Sequence, residues 1–312
     1  MLPNSRQLIF LFFALFISTF AVCEIEKISE NDKRVAELKI DEFLQKANKL
    51  ISKEDSIFYA IKLLEEAYNI AEQNRLTDKI IHTSNRLGMA NLGLANNAKS
   101  TSYFYISLKN AESINDKKGI SGAYLGLGLV IYNLGNYEEA FLYFNKSNKI
   151  EDESELQHNN MLMEYLIGLC HFQMKDFARS RQYLERVLDD ALQKGDSARQ
   201  YEAKLFLLNI RSIENPKKEQ LSEYNEILNY FSGRNEQIGV CNTLDWLTEL
   251  QLKLGLKDEA VANAERALAI VRKTEVATTL TNAIDVRIRA ADAQGDYKTA
   301  ATLLQELQTL KD

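Results

Sequence analysis

One stretch of this chain constrains its fold more than any other: Ala123 to Phe144, AYLGLGLVIYNLGNYEEAFLYF. Tyr124, Leu127 and Ile131 share one side of a first helix, Ala140, Phe144 and Ser147 share one side of a second, and Asn133 to Asn136 supply the turn. Two apolar stripes therefore face each other across an antiparallel hairpin. Gly128 and Ala140 have almost no side chain, so the helices can approach closely where those residues meet, with bulky neighbours filling the space around them.

A lone hairpin cannot bury both of its faces, so a stable chain has to repeat it. The unit recurs every forty residues with no insertion or deletion. A small column runs Ala60, Ser100, Ala140, Ser180, Gln220, Ala260, Ala300, with Gln220 as the departure. A bulky column follows it: Leu64, Phe104, Phe144, Leu184, Tyr224, Ala264, Leu304. Gly88 and Gly168 flank Gly128 at the same step, and the turn column reads Gly135, Asn215, Gly255 and Gly295.

On these residues the chain resembles a tetratricopeptide repeat protein of a long, forty-residue variety. Tyr124, Leu127-Gly128, Ile131, Ala140 and Phe144 follow that family's pattern, with Ser147 in place of its last Ala. The second, fourth, sixth and seventh units match partly, and the first and fifth weakly. The resemblance covers residues 41–312 and implies an all-α fold, an α-solenoid of about seven helix-turn-helix repeats wound into a right-handed superhelix. It says little about the partner, because such repeats serve many functions.

Ahead of the repeats, Leu8 to Val22 form an almost wholly apolar run behind a start that carries Arg6, the pattern of a signal peptide over residues 1–23. The run is shorter than the roughly eighteen or more residues of a spanning helix, and no later segment is apolar enough to span. Cleavage after Ala21 or after Cys23 is sterically reasonable; acylation of Cys23 is disfavoured by the bulk of Val22 and Phe20, and an uncleaved anchor is the third option. The intact mass of the processed protein separates the three. Residues 24–40 read as a polar lead-in, with Phe43, Leu44, Ala47 and Ile51 opening the first unit. Ser56, Asn96, Asn136, Asp176 and Asp296 share one phase as N-caps, and Pro216 is expected to open the second helix of the fifth unit. Cys170 and Cys241 fall two units apart, about 20 Å if each unit advances by one helix diameter, too far for a disulfide.

Function has to be sought on surfaces that packing leaves over. In the third unit Leu125, Leu129 and Tyr132 form a second apolar stripe on the first helix, extended by Asn85, Met89 and Leu92 in the second unit and by Tyr165, Leu169 and Phe172 in the fourth. The same places hold Asp245, Glu249 and Leu252 in the sixth unit and Asp285, Arg289 and Asp292 in the seventh, so the apolar version reads as surplus to stacking. The resemblance implies that this side of the first helices lines a concave groove. Asn85, Asn133 and Gln173 would edge it with amides able to bond a peptide backbone. Closure of the superhelix, or the lead-in folding back, would bury the same side chains. The paired Lys and Asn residues with which some grooves of this family hold a C-terminal carboxylate are not visible, so a hydrophobic or mixed protein or peptide segment is the expected partner.

No catalytic residue, metal site or cofactor is expected. His82, His158 and His171 have no metal-ligand spacing, and His171 falls on the inward side of its helix. Gly122, Gly126 and Gly128 fall inside a helix and not on a strand-to-helix turn. A net charge of -6, together with export, argues against nucleic acid. The expected function is a non-enzymatic scaffold or adaptor in the bacterial cell envelope or periplasm. The alternative is an exported sensory component, since repeats of this period behind a signal resemble the input regions of bacterial sensor kinases and cyclases; it would act through a separate membrane protein.

Overall fold

A computed structural model of the chain describes residues 30–50, 56–153, 160–274 and 277–311, and among them there are helices and no strand. The first helix, α1, covers residues 30–50. It is followed by α2 (Ile57–Gln73), α3 (Thr77–Gly93), α4 (Asn97–Ser113), α5 (Lys117–Asn133), α6 (Tyr137–Glu153) and α7 (Asn160–Gln173). The remainder are α8 (Phe177–Lys194), α9 (Ser197–Glu214), α10 (Gln220–Gly233), α11 (Gln237–Lys253), α12 (Lys257–Thr274), α13 (Ala277–Gln294) and α14 (Tyr297–Lys311). Odd and even helices pair into hairpins at the forty-residue step. They fall into two compact units divided after Met163.

The connections show why the step is so regular. Leu76, Asn96, Asp116, Asn136, Asp176, Asp196, Glu236, Leu256 and Asp296 each donate their backbone N–H to the carbonyl five residues back, at 2.8–3.2 Å. Each is preceded by a residue at positive φ: Arg75, Ala95, Asn115, Gly135, Lys175, Gly195, Asn235, Gly255 and Gly295. This is the left-handed cap that satisfies a helix's last carbonyls. At these nine junctions it falls on a twenty-residue step, closing one helix and opening the next with one residue.

Pro216 interrupts the series. It occupies the place where the donor belongs and has no N–H to give, and it pushes the residue before it toward extended backbone: Asn215 lies at φ -150. Instead Asn215 bonds Arg211 O directly, and α10 begins only at Gln220. The expected opening of that helix by Pro216 is therefore incorrect. Gln220, the outlier of the small column, ties the loop by accepting from Lys217 N and donating to Asn215 O.

Helix α1 also starts earlier than expected. Residues 30–34, expected in the polar lead-in, are already helical, and from Ala36 the helix carries a continuous stripe of Ala36, Ile40, Leu44 and Ala47 buried with Leu64, Ala67 and Leu87. The signal segment, Cys23, Ile51 and His158 lie outside the described residues.

The glycine column occupies equivalent surroundings in three successive hairpins. A Cβ added at Gly88 would lie 2.6 Å from the Phe104 ring, one at Gly128 2.5 Å from Phe144, and one at Gly168 3.2 Å from Leu184. Ser100 Oγ reaches Gly88 O at 2.8 Å, so the small column faces the glycines as well. The bulky column is buried from Leu64 to Ala264, but Leu304 is 52% exposed and Leu303 takes the inward place. Cys170 and Cys241 are free and buried.

Asn96, Asn136, Asp176 and Asp296 accept from the backbone N–H three residues on, whereas Ser56 makes no such bond. Asp196 caps α9 in the same way. Asp176→Ala should lower stability by about 1 kcal/mol without loss of helicity, read from urea midpoints and far-ultraviolet circular dichroism.

Candidate functional site

The first helices α3 and α5 carry the part of the expected groove that lies in the first compact unit. Met89 is 45% exposed. Leu92, Leu125, Leu129 and Tyr132 are half-buried and Asn133 is exposed. Not all of this surface is surplus to packing: Leu92 packs on the Phe104 core, and Tyr132 meets Tyr137 edge-on at 5.1 Å between ring centroids. Asn85 lies half-buried beside Gly122, and its Oδ1 is buried without a hydrogen-bond partner among the described residues.

In the second compact unit the expected residues Tyr165, Leu169, Phe172 and Gln173 lie on α7. Leu169 is buried, so it belongs to the core and not to an open wall. Gln173 is exposed, and Tyr165 and Phe172 are half-buried in an aromatic cluster that sequence reasoning did not assemble. Phe172 packs against Phe206 of α9 at 5.3 Å, Trp246 of α11 at 5.8 Å and Phe177 of α8 at 5.7 Å. Phe206 and Trp246 meet edge to face at 4.7 Å, and Tyr165 meets Phe206 at 6.0 Å. All five rings are half-buried. The forty-residue step from Phe206 to Trp246 was the available signal. It falls one residue past the Leu125 phase, on the Gly126 phase, where the stripe had not been followed.

At one end of this wall the Arg199 guanidinium lies 4.7 Å from the Tyr165 ring centroid while bonding Glu202 at 2.7 Å. Beyond Trp246, α11 and α13 carry the charges expected to mark the stripe as dispensable. That reasoning needs correction: Asp245 is only 7% exposed, and Arg289 binds Glu249 at 2.9 Å and Asp285 at 3.3 Å. Here the neighbouring first helices meet through ions where α7, α9 and α11 meet through rings. Burial pushes the Asp245 carboxyl up to about 7; Arg289 opposes the shift and Glu249 adds to it.

His171 is buried and stacked on Tyr183 at 5.7 Å, and burial holds its imidazole below the ordinary value. It is a core imidazole, as its inward register suggested. Tyr103 and Tyr143, which share the step with Tyr183, pack against Tyr68 and Tyr124. No group of three or more His, Cys, Asp and Glu among the described residues is placed to hold a metal ion. No helix among them is long and apolar enough to cross a membrane.

A family model described as Tetratricopeptide repeat matches residues 163–191, the span that holds most of α7 and most of α8. Solved structures share the fold over most of the chain. The apo form of RapI is 13% identical with a TM-score of 0.66, covering 87% of this chain and 97% of that one. A Rap protein complexed with Competence and Sporulation Factor is 12% identical with a TM-score of 0.67, covering 92% and 78%. NprR in complex with its cognate peptide NprX is 13% identical with a TM-score of 0.64, covering 88% and 78%. A comparison with curated proteins found no match.

Proposed function

We propose that this chain is a non-enzymatic peptide-binding repeat protein that takes up a hydrophobic or mixed segment of a partner on the inner side of its first helices. The observation that carries the reading is the half-buried aromatic wall of Phe172, Phe206 and Trp246, with Tyr165 at its edge. Rings packed edge to face leave flat surfaces on which an apolar side chain loses water at little conformational cost. Two of the solved neighbours hold a peptide or a named factor, which fits this use of the fold.

Trp246 is the single tryptophan of the chain, so its fluorescence reports directly on the wall. Peptide ligands selected on the wild-type chain should shift Trp246 emission on binding. Phe172→Asp should abolish their capture while leaving helicity intact; capture at wild-type affinity by a folded Phe172→Asp chain would overturn the reading. Leu129→Asp applies the same test to the first unit.

The apolar run from Leu8 to Val22 supports action in the cell envelope after export. A second reading makes the peptide a signal and the chain the sensory component of a system whose kinase or cyclase is a separate membrane protein. It draws on NprR, which is described as a quorum sensor. Co-purification of the chain with a membrane kinase or cyclase would separate this reading from a free adaptor.

A further inference from the structure

The aromatic wall ends at Trp246, and the next residues along α11 and α13 are acidic. Asp245 precedes Trp246, Glu249 lies one turn on from both, and Asp285 faces them from α13. Against these three carboxylates stands one cation, Arg289, which is shared between Glu249 and Asp285. Asp245 is 93% removed from solvent by its 7% exposure, and its Oδ1 has no hydrogen-bond partner among the described residues. A buried acceptor left without a donor is costly, and one beside a second carboxylate more so. The cluster is therefore a donor-poor, negatively charged recess adjoining an apolar surface.

We propose that this recess is a subsite for a cationic side chain, so that the peptide taken up by the second unit carries a Lys or Arg within one or two residues of the apolar or aromatic side chain that packs on Phe206 and Trp246. The inference rests on the peptide-binding reading and narrows it. Residues three apart on a helix have Cβ atoms about 5–6 Å from one another, which is the separation of Trp246 from Glu249. An extended peptide advances about 3.3 Å per residue, so the two contacts fall on side chains one or two positions apart. Asp285 and Glu249, whose side chains are 54% and 32% exposed, are the carboxylates a ligand reaches first. Asp245 lies behind Glu249 and, once the approaching cation displaces its proton to solvent, carries a charge that is screened less by water and acts more strongly on that ammonium or guanidinium. The half-exposed Arg289 side chain can turn outward toward solvent as that cation takes its place on Glu249. The grouping does not suit a metal ion.

The test is selection of random heptapeptides displayed on phage against the full chain, with an Asp245→Asn/Glu249→Gln double variant as the paired target. Both substitutions keep side-chain size, and circular dichroism verifies folding. Peptides enriched on the wild type should carry Lys or Arg one or two residues from an aromatic or aliphatic residue. Their affinity, read from Trp246 fluorescence, should fall at least tenfold when that residue is replaced by norleucine, and at least tenfold on the double variant. Enriched peptides without a basic residue, or equal affinity for the two proteins, would overturn the subsite while leaving peptide binding in place. Enrichment of no heptapeptide on either protein would overturn the peptide-binding reading and the subsite together.

Discussion

Phe104→Ala should cost the first compact unit about 4 kcal/mol, in the middle of the range for removing a buried phenyl ring. The ring is fully buried. It sits between glycines on two different helices: a Cβ at Gly88 of α3 would lie 2.6 Å from it, and one at Gly126 of α5 would lie 2.2 Å from it. Cavities cost most where the surroundings cannot relax into them, and two of the walls here have no side chain to move. Leu127 and Val130 close the rest of the site and are themselves held by packing. Gly126→Ala should be destabilising in the wild type, by about 1–3 kcal/mol, because its methyl meets the ring. In the Phe104→Ala background the same methyl enters empty space and should recover part of the loss. Urea midpoints for the two single variants and the double variant measure this coupling; additive losses would show that the glycines do not shape the ring's site.

That pairing also marks how far the sequence could be read. Glycine and bulky residue stand sixteen apart in Gly88 and Phe104, Gly128 and Phe144, and Gly168 and Leu184, and each pair is in contact. A contact made inside one hairpin at fixed spacing is legible, because the helix period alone decides which residues meet. The caps at Asn96, Asn136, Asp176 and Asp296 were legible for the same reason, since each acts over three residues. What escaped depends on more distant terms. Arg75, Ala95 and Lys175 adopt positive φ with nothing in their side chains to announce it; the hydrogen bond of the following residue imposes the conformation. Pro216 looked like a helix start until the missing donor was counted against its neighbours in the series. Within the site, Tyr165 and Phe172 could be named from their own helix, but Phe206 and Trp246 join them from two others. Leu169 and Asp245 are buried by neighbouring helices, so no pattern along α7 or α11 alone separates them from the open positions beside them.

Asp245→Asn should make the protein more stable at pH 8 and leave it almost unchanged at pH 4. The wild-type carboxyl titrates near 3.8 when unfolded and at about 7 when folded, raised first by burial, with Arg289 opposing and Glu249 adding to the shift. Between those values the native state keeps a proton that the unfolded chain has released. Stability is therefore fully present below about pH 4, is lost as pH rises through about 7, and does not fall further from this group above that. A shift of this size corresponds to about 4 kcal/mol at its limit. An amide has nearly the shape of the protonated acid and no charge to desolvate, so the variant should lose this part of the pH slope. The remaining charges around the site are Glu249 on the same helix and Arg289 and Asp285 on α13, with the buried Cys241 thiol one turn back. Urea midpoints of wild type and variant across pH 4 to 8 should diverge as pH rises; parallel curves would mean that Asp245 is ionised in the folded protein throughout. A carboxylate kept at the expense of stability beside an aromatic surface is the arrangement expected of a residue retained for binding. A variant that gains stability at pH 8 while losing affinity for peptides with a basic residue would show both effects in one side chain.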